Sequence, residues 1–218
     1  MSVQNIRKIG LADEAYGRIR EAIVEGRYAA GDPLFENRLS AELGMSRTPI
    51  REALQVLARD GLLEVVPARG YFVPRRSLDD LRELFELREA LDGAAARACA
   101  LRAQPDEVEA LRALCDRYDA APDWTEWART GTEFHAAIAR TARNTRLAEA
   151  LDRLKLQIML TRRAELRGVE GRHREAAREH RAILAAISAA DPDAAEREAR
   201  LHVRLSQQAS LRQAEGWR

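Results

Sequence analysis

From Ser46 to Leu57 the chain reads Ser-Arg-Thr-Pro-Ile-Arg-Glu-Ala-Leu-Gln-Val-Leu, and a helix is the one regular structure that sorts these residues cleanly. Helical spacing puts Ile50, Ala53, Leu54 and Leu57 on one face and strings Arg47, Arg51 and Gln55 four apart along another. The first face is fit to enter a core. The second carries two guanidinium groups that suit phosphates and guanine edges. Pro49 falls in the first turn, where backbone N–H groups have no helical partner, and Ser46 or Thr48 offers a side-chain cap. A charged helix face is often simply solvated, so the flanking sequence has to decide between the two readings.

Before this stretch, Leu11, Ala15, Ile19 and Ile23 mark a helix that breaks at Gly26, and Gly31-Asp32-Pro33 reads as a turn. A short second helix over Glu36–Leu43 is stopped by Gly44. After Gly61 the period becomes extended, with Leu62 to Val66, the turn Pro67-Ala68-Arg69-Gly70, and Tyr71-Phe72-Val73 forming a two-stranded hairpin. Three helices closed by a hairpin make a winged helix-turn-helix. The Arg69-Gly70 tip is shaped to approach a minor groove, although an ordinary hairpin turn would use glycine equally well.

Pro74-Arg75-Arg76 reads as a linker, and Ser77 with Asp80 as a capping-box variant. No strand is expected beyond it. Apolar periodicity and breakers predict helices over 78–103, 105–119, from Asp123 or Thr125 to a C-terminal cap at Asn144, 145–167, 175–190, and from Pro192 onward, with a break at 168–171. The fold class is therefore mostly α. A winged helix-turn-helix over residues 1–75 precedes an antiparallel bundle of about six helices over 76–218.

Charge gives no independent sign of a nucleic-acid partner. Lys plus Arg (36) nearly balances Asp plus Glu (35), and 11 basic residues face 10 acidic ones through Arg75. Any reading of DNA must rest on where the arginines stand. Cys99 and Cys115, in alanine-rich helical sequence, read as reduced core residues of a cytoplasmic protein. No run of eighteen apolar residues suggests a membrane span, and no secretory leader is expected.

Three of the four histidines, His135, His180 and His202, fall in predicted helix interiors. His180 lies eleven residues before Asp191 and His202 eleven after. In a hairpin turning at Asp191 both stand about 16 Å from the turn, at about 1.5 Å per residue. From spacing alone they share a metal or are two separate histidines. His173, between Arg172 and Arg174, is expected to be exposed and without a role.

Glu21-Ala22-Ile23, Gly26, Gly31, the run Leu43-Gly44-Met45-Ser46-Arg47-Thr48-Pro49-Ile50-Arg51-Glu52-Ala53-Leu54, and Asp60-Gly61-Leu62-Leu63 resemble the winged helix-turn-helix of GntR-type bacterial transcription regulators. The later helices resemble the FCD ligand-binding bundle of the FadR-like branch. The resemblance spans about residues 11–212. It implies a homodimer that binds a near-palindromic double-stranded DNA operator under the control of a small-molecule effector, with no enzymatic activity. It places Ser46, Arg47, Thr48 and Arg51 on DNA-contacting positions, with Gly70 at the wing tip beside the Arg69 read from the hairpin. Where many members carry a second-helix arginine, this chain has Asn37.

Many FCD bundles bind zinc or nickel through one aspartate and three histidines, and His135, His180 and His202 occupy the histidine positions. The aspartate position, four residues before His135, holds Gly131. Three neutral imidazoles still suffice for a divalent metal with positions open to water or an effector carboxylate. The resemblance also makes Arg88 a candidate for pairing with an anionic effector; its other reading is an ion pair with Asp92, four residues on. Two rival functions stay open at this stage: a metal-free sensor of acyl-CoA-like ligands, and a three-histidine metalloenzyme.

Overall fold

Helix α1 (Leu11–Glu25) buries Ala15, Ile19, Ala22 and Ile23 along one side and ends at Gly26, whose φ of 94° only glycine adopts without strain. The computed structural model describes residues 10–161 and 172–215. Two compact units are present, one made mainly of the chain up to Arg76 and the other mainly of the chain from Ser77 onward.

In the first unit, α2 (Glu36–Leu43) and α3 (Arg47–Arg59) follow α1, and Gly44 ends α2 in the left-handed conformation. Ile50, Ala53, Leu54 and Leu57 are at most 1% exposed, so the apolar face of α3 enters the core as its spacing predicts. The Tyr16 hydroxyl donates to Asp60 at 2.8 Å and ties α1 to the end of α3. Ser46 stands at the N-cap of α3 with extended backbone but makes no capping bond through its side chain. The third residue of the helix is Pro49, which has no N–H for a cap to accept from.

The hairpin forms from β2 (Glu64–Val66) and β3 (Gly70–Phe72), with Val65 opposite Tyr71. A third strand joins it. Strand β1 (Pro33–Leu34), expected to be only part of a turn, pairs antiparallel with β3, giving the order β1-β3-β2. Two residues carry no readable period, and this strand exists through a long-range ladder, including Gly31 N–H to Val73 O at 2.8 Å.

The second unit consists, among the described residues, of α4 (Leu78–Arg102), α5 (Pro105–Asp119), α6 (Trp124–Thr141), α7 (Thr145–Thr161) as far as Ile158, α8 (Arg172–Ser188) and α9 (Pro192–Glu215). The Ser77–Asp80 capping box forms in both directions, at 2.7 and 3.1 Å. Asp123 caps α6 and Asp191 caps α9. Asn144 acts opposite to expectation: its Oδ1 accepts from Leu147 N–H at 3.1 Å, so it caps the start of α7 rather than the end of α6. The chain has already turned at Arg143, with φ of 50°. The expected continuation of α7 to residue 167 and the break at 168–171 lie outside the described residues, and α8 begins before the predicted residue 175.

Two apolar clusters fill this unit. The larger holds Ala95, Ala96, Cys99, Leu111, Cys115, Phe134, Leu151, Ile183 and Ala199; the smaller holds Leu81, Phe85, Leu154, Ile158 and Val203. Both cysteines are free and buried, and burial pushes each thiol up to about 12, so neither is a ready nucleophile. Among the described residues no helix is long and apolar enough to cross a membrane.

Candidate DNA-reading helix and buried histidine cluster

The outer face of α3 is open. Ser46, Arg47, Thr48, Arg51 and Gln55 are all exposed, and Pro49 and Ile50 beneath them are buried. Arg51 is not loose: Nε donates to Glu36 Oε1 at 3.0 Å and Nη2 to Oε2 at 2.9 Å, so a carboxylate at the start of α2 aims the guanidinium. Glu36 went unnoticed in the sequence, because a pair fifteen residues apart has no local spacing rule. Asn37 is exposed, and its neighbour Arg38 turns to Glu42 at 2.6 Å. At the wing, Arg69 lies over the Phe72 ring at 5.1 Å, and Gly70 takes φ of 96° with open space where a side chain would begin.

In the second unit α6, α8 and α9 bring His135, His180 and His202 together, with one ligand atom from each lying within 4.8 Å of the others. All three are buried. The hairpin geometry holds: the His180 and His202 rings stand 4.8 Å apart across the α8–α9 turn. His135 Nε2 and His202 Nε2 face each other at 3.1 Å, and neither nitrogen of His180 has a hydrogen-bond partner among the described residues.

Burial, then the neighbouring rings and the charges of Arg88 and, for His180, Arg172, hold His135 and His180 well below the ordinary histidine value; burial also lowers His202, against the pull of Glu179. The rings are therefore neutral at pH 7, the form that ligates metal. Glu179 orients one of them. His202 Nδ1–H donates to its Oε2 at 2.6 Å, which leaves the His202 Nε2 lone pair facing the cluster. Burial alone would raise the Glu179 carboxyl, but the bonds from His202 and from Arg172 (2.6 and 2.7 Å) outweigh it and bring it down to about 2. The His202 contact is a hydrogen bond donated by a neutral ring, whereas the Arg172 contact is an ion pair.

These residues are a ligand set for a divalent metal, one pair already at the required spacing and the set, spread over up to 4.8 Å, having to draw in on binding. Two nitrogens sharing a tetrahedral zinc at about 2.0–2.1 Å lie about 3.3 Å apart, close to the separation of His135 and His202. The carboxylate behind His202 is the outer partner such a ligand needs. The unpartnered nitrogens of His180 are otherwise a buried polar cost.

Comparison with known proteins settles the family. A model described as the FCD domain matches residues 83–205, and one described as bacterial regulatory proteins, gntR family, matches residues 11–73. The chain belongs to the GntR family, with an FCD domain. A probable D-xylose utilization operon transcriptional repressor of Paenarthrobacter nicotinovorans is 33% identical over 183 residues, covering 83% of this chain and 80% of that protein. Among solved structures, E. coli McbR/YncC has a TM-score of 0.81 at 22% identity, covering 94% of this chain and 99% of its own. A putative GntR transcriptional regulator from Rhodococcus sp. RHA1 has a TM-score of 0.71 at 25% identity, covering 92% and 97%. GntR regulators bind DNA operators, and these relatives are regulators rather than enzymes.

In this GntR-family regulator the missing aspartate has a structural counterpart. A Cβ at Gly131 would lie 3.0 Å from Tyr118 Cε2 and 3.7 Å from His180 Cε1. The position does look toward the cluster, and the buried Tyr118 ring, edge-on to His180 at 4.5 Å, fills the room an acidic side chain would take. His173 is half-buried rather than exposed: it packs on Tyr118, and its Nε2 lies 2.8 Å from the Tyr118 carbonyl. Arg88 makes the predicted pair with Asp92, Nε to Oδ2 at 2.9 Å, but both side chains are buried rather than on the surface.

Sequence reasoning passed over Glu179, Arg172 and Lys155. Lys155 had a visible signal: Leu151, Leu154 and Ile158 place it on the core face of α7.

Proposed function

We propose that the chain is a homodimeric regulator that binds a near-palindromic operator through α3 and the wing, and that its helical bundle senses a small carboxylate through a divalent metal. Residues up to about 75 act as the reading head in this account. Ser46, Arg47, Thr48 and Arg51 meet the major groove and Arg69 and Gly70 the flanking minor groove. The observation that carries the sensing half is the triad of neutral buried histidines, with both nitrogens of His180 unpartnered among the described residues.

His135, His180 and His202 would hold the metal, zinc or nickel. A metal bound by three neutral ligands keeps its full charge and open positions, which supplies Lewis-acid affinity for a carboxylate. Glu179 would hold the His202 tautomer, and His135 would ligate through Nε2 with its proton on Nδ1, so that all three rings stay neutral. An effector controls the operator only as far as its affinity differs between arrangements of the bundle.

The test is fluorescence anisotropy on an operator selected from random duplexes. Metal-loaded protein changes its operator affinity when small carboxylates are added, and the His180→Ala variant binds the operator but no longer responds. A carboxylate response that survives both His180→Ala and chelation would remove the metal from the account.

A further inference from the structure

Buried polar residues lie between the two apolar clusters of the helical unit, which Leu91 bridges. Along α4, Phe85 belongs to one cluster and Ala95 to the other, with Arg88 and Asp92 between them. Along α7, Lys155 stands between Leu151 of the larger cluster and Ile158 of the smaller. Along α9, His202 stands between Ala199 and Val203 in the same way.

Among the described residues the charges of this layer do not cancel. Arg88 is paired with Asp92, and Arg172 with Glu179. That leaves Lys155, whose Nζ is buried with no hydrogen-bond partner among the described residues. Buried ammonium groups are costly unless paired. The group lies within electrostatic reach of Arg88, Asp92 and His135, and burial pushes it below its ordinary value. On the other side of the layer, Gly131 with the Tyr118 ring against it removes the acidic residue that would offset a metal. Among the described residues the site is short of negative charge at two separate points.

We infer that Lys155 is the second anchor of the effector site, and that the effector is a small dicarboxylate, with one carboxylate at the histidine cluster and the other on the Lys155 ammonium. The inference rests on the carboxylate-sensing reading and adds the second charge. Arg88 is already engaged through Nε and keeps its remaining donors to assist either group.

The experiment is calorimetry and thermal shift on zinc-loaded protein. Malonate, succinate and glutarate are each compared with the monoacid of equal length: propionate, butyrate and valerate. At least one diacid binds about 10- to 100-fold more tightly than its monoacid, the range expected for a charged hydrogen bond. In Lys155→Met that preference falls to within about twofold, because diacid binding loses more than monoacid binding, whereas Lys155→Arg keeps a preference. Without ligand, Lys155→Met melts no lower than the parent, which shows that it folds.

Equal binding of diacids and monoacids by the parent, or a preference that survives Lys155→Met, overturns the assignment. Failure of the underlying reading looks different: protein that takes up no zinc and binds neither class of acid.

Discussion

Glu179 and His202 are joined across the α8–α9 hairpin by a 2.6 Å hydrogen bond, and Arg172 grips the same carboxylate from its far side. The arrangement fixes which His202 nitrogen faces the cluster. Glu179→Gln should weaken zinc binding about 10- to 100-fold, the usual cost of losing such an outer partner. Competition against a chromophoric chelator measures it. An unchanged affinity would mean that His202 is oriented by packing alone.

The histidines also make the metal-free fold sensitive to acid. Each has its value lowered by folding, so the unfolded chain takes up protons first as pH drops. Their contribution is fully present above about 6.5 and is lost below it, each adding a slope of about 1.4 kcal/mol per pH unit. Glu179 acts in the same direction at lower pH, losing its contribution between its ordinary 4.5 and about 2. Melting of chelated protein between pH 7.5 and 5 should show the decline, and His180→Phe, with one titrating ring fewer, should flatten it. A parent curve that is level over this range would contradict the burial argument.

At the reading helix, Arg51 and Arg69 should fail in different ways. Arg51→Ala should cost about 1–3 kcal/mol in operator binding and relax base preference, because Glu36 aims that guanidinium. Arg69→Ala should weaken all sequences alike and lower the salt dependence by about one counterion. Binding curves on selected and scrambled duplexes at several salt concentrations separate the two. Equal behaviour of the two variants would remove Arg51 from base reading.

Asp92 carries structural weight within the buried layer. Asp92→Ala leaves Arg88 without its partner near Lys155, itself unpaired among the described residues, and should cost about 3–5 kcal/mol by urea unfolding. Adding Lys155→Met to that variant should recover part of the loss, and no recovery would show that the two cations do not share an environment.

The sequence makes legible what depends on period and punctuation. The apolar face of α3, the glycine stops at Gly26 and Gly44, the capping box at Ser77 and the equal offsets of His180 and His202 from Asp191 all follow from local rules. What stayed hidden depends on distant partners. Strand β1 has only two residues and exists because β3 is beside it. Glu36 reaches Arg51 across a turn, and Tyr118 reaches Gly131 from another helix. Asn144 was misread because the same residue type caps either side of a tight turn, and the positive φ at Arg143 decides which. Lys155 was legible and passed over: a lone cation on an apolar helix face marks either an error in register or a site.

The measurement closest to the central claim is the metal content of protein purified without chelators or an affinity metal. The three histidines predict about one divalent ion per chain, lost in His180→Ala and restored to the parent after chelation by added zinc or nickel with a rise in Tm. Protein that carries no metal, and whose Tm does not move when zinc or nickel is added, contradicts the account.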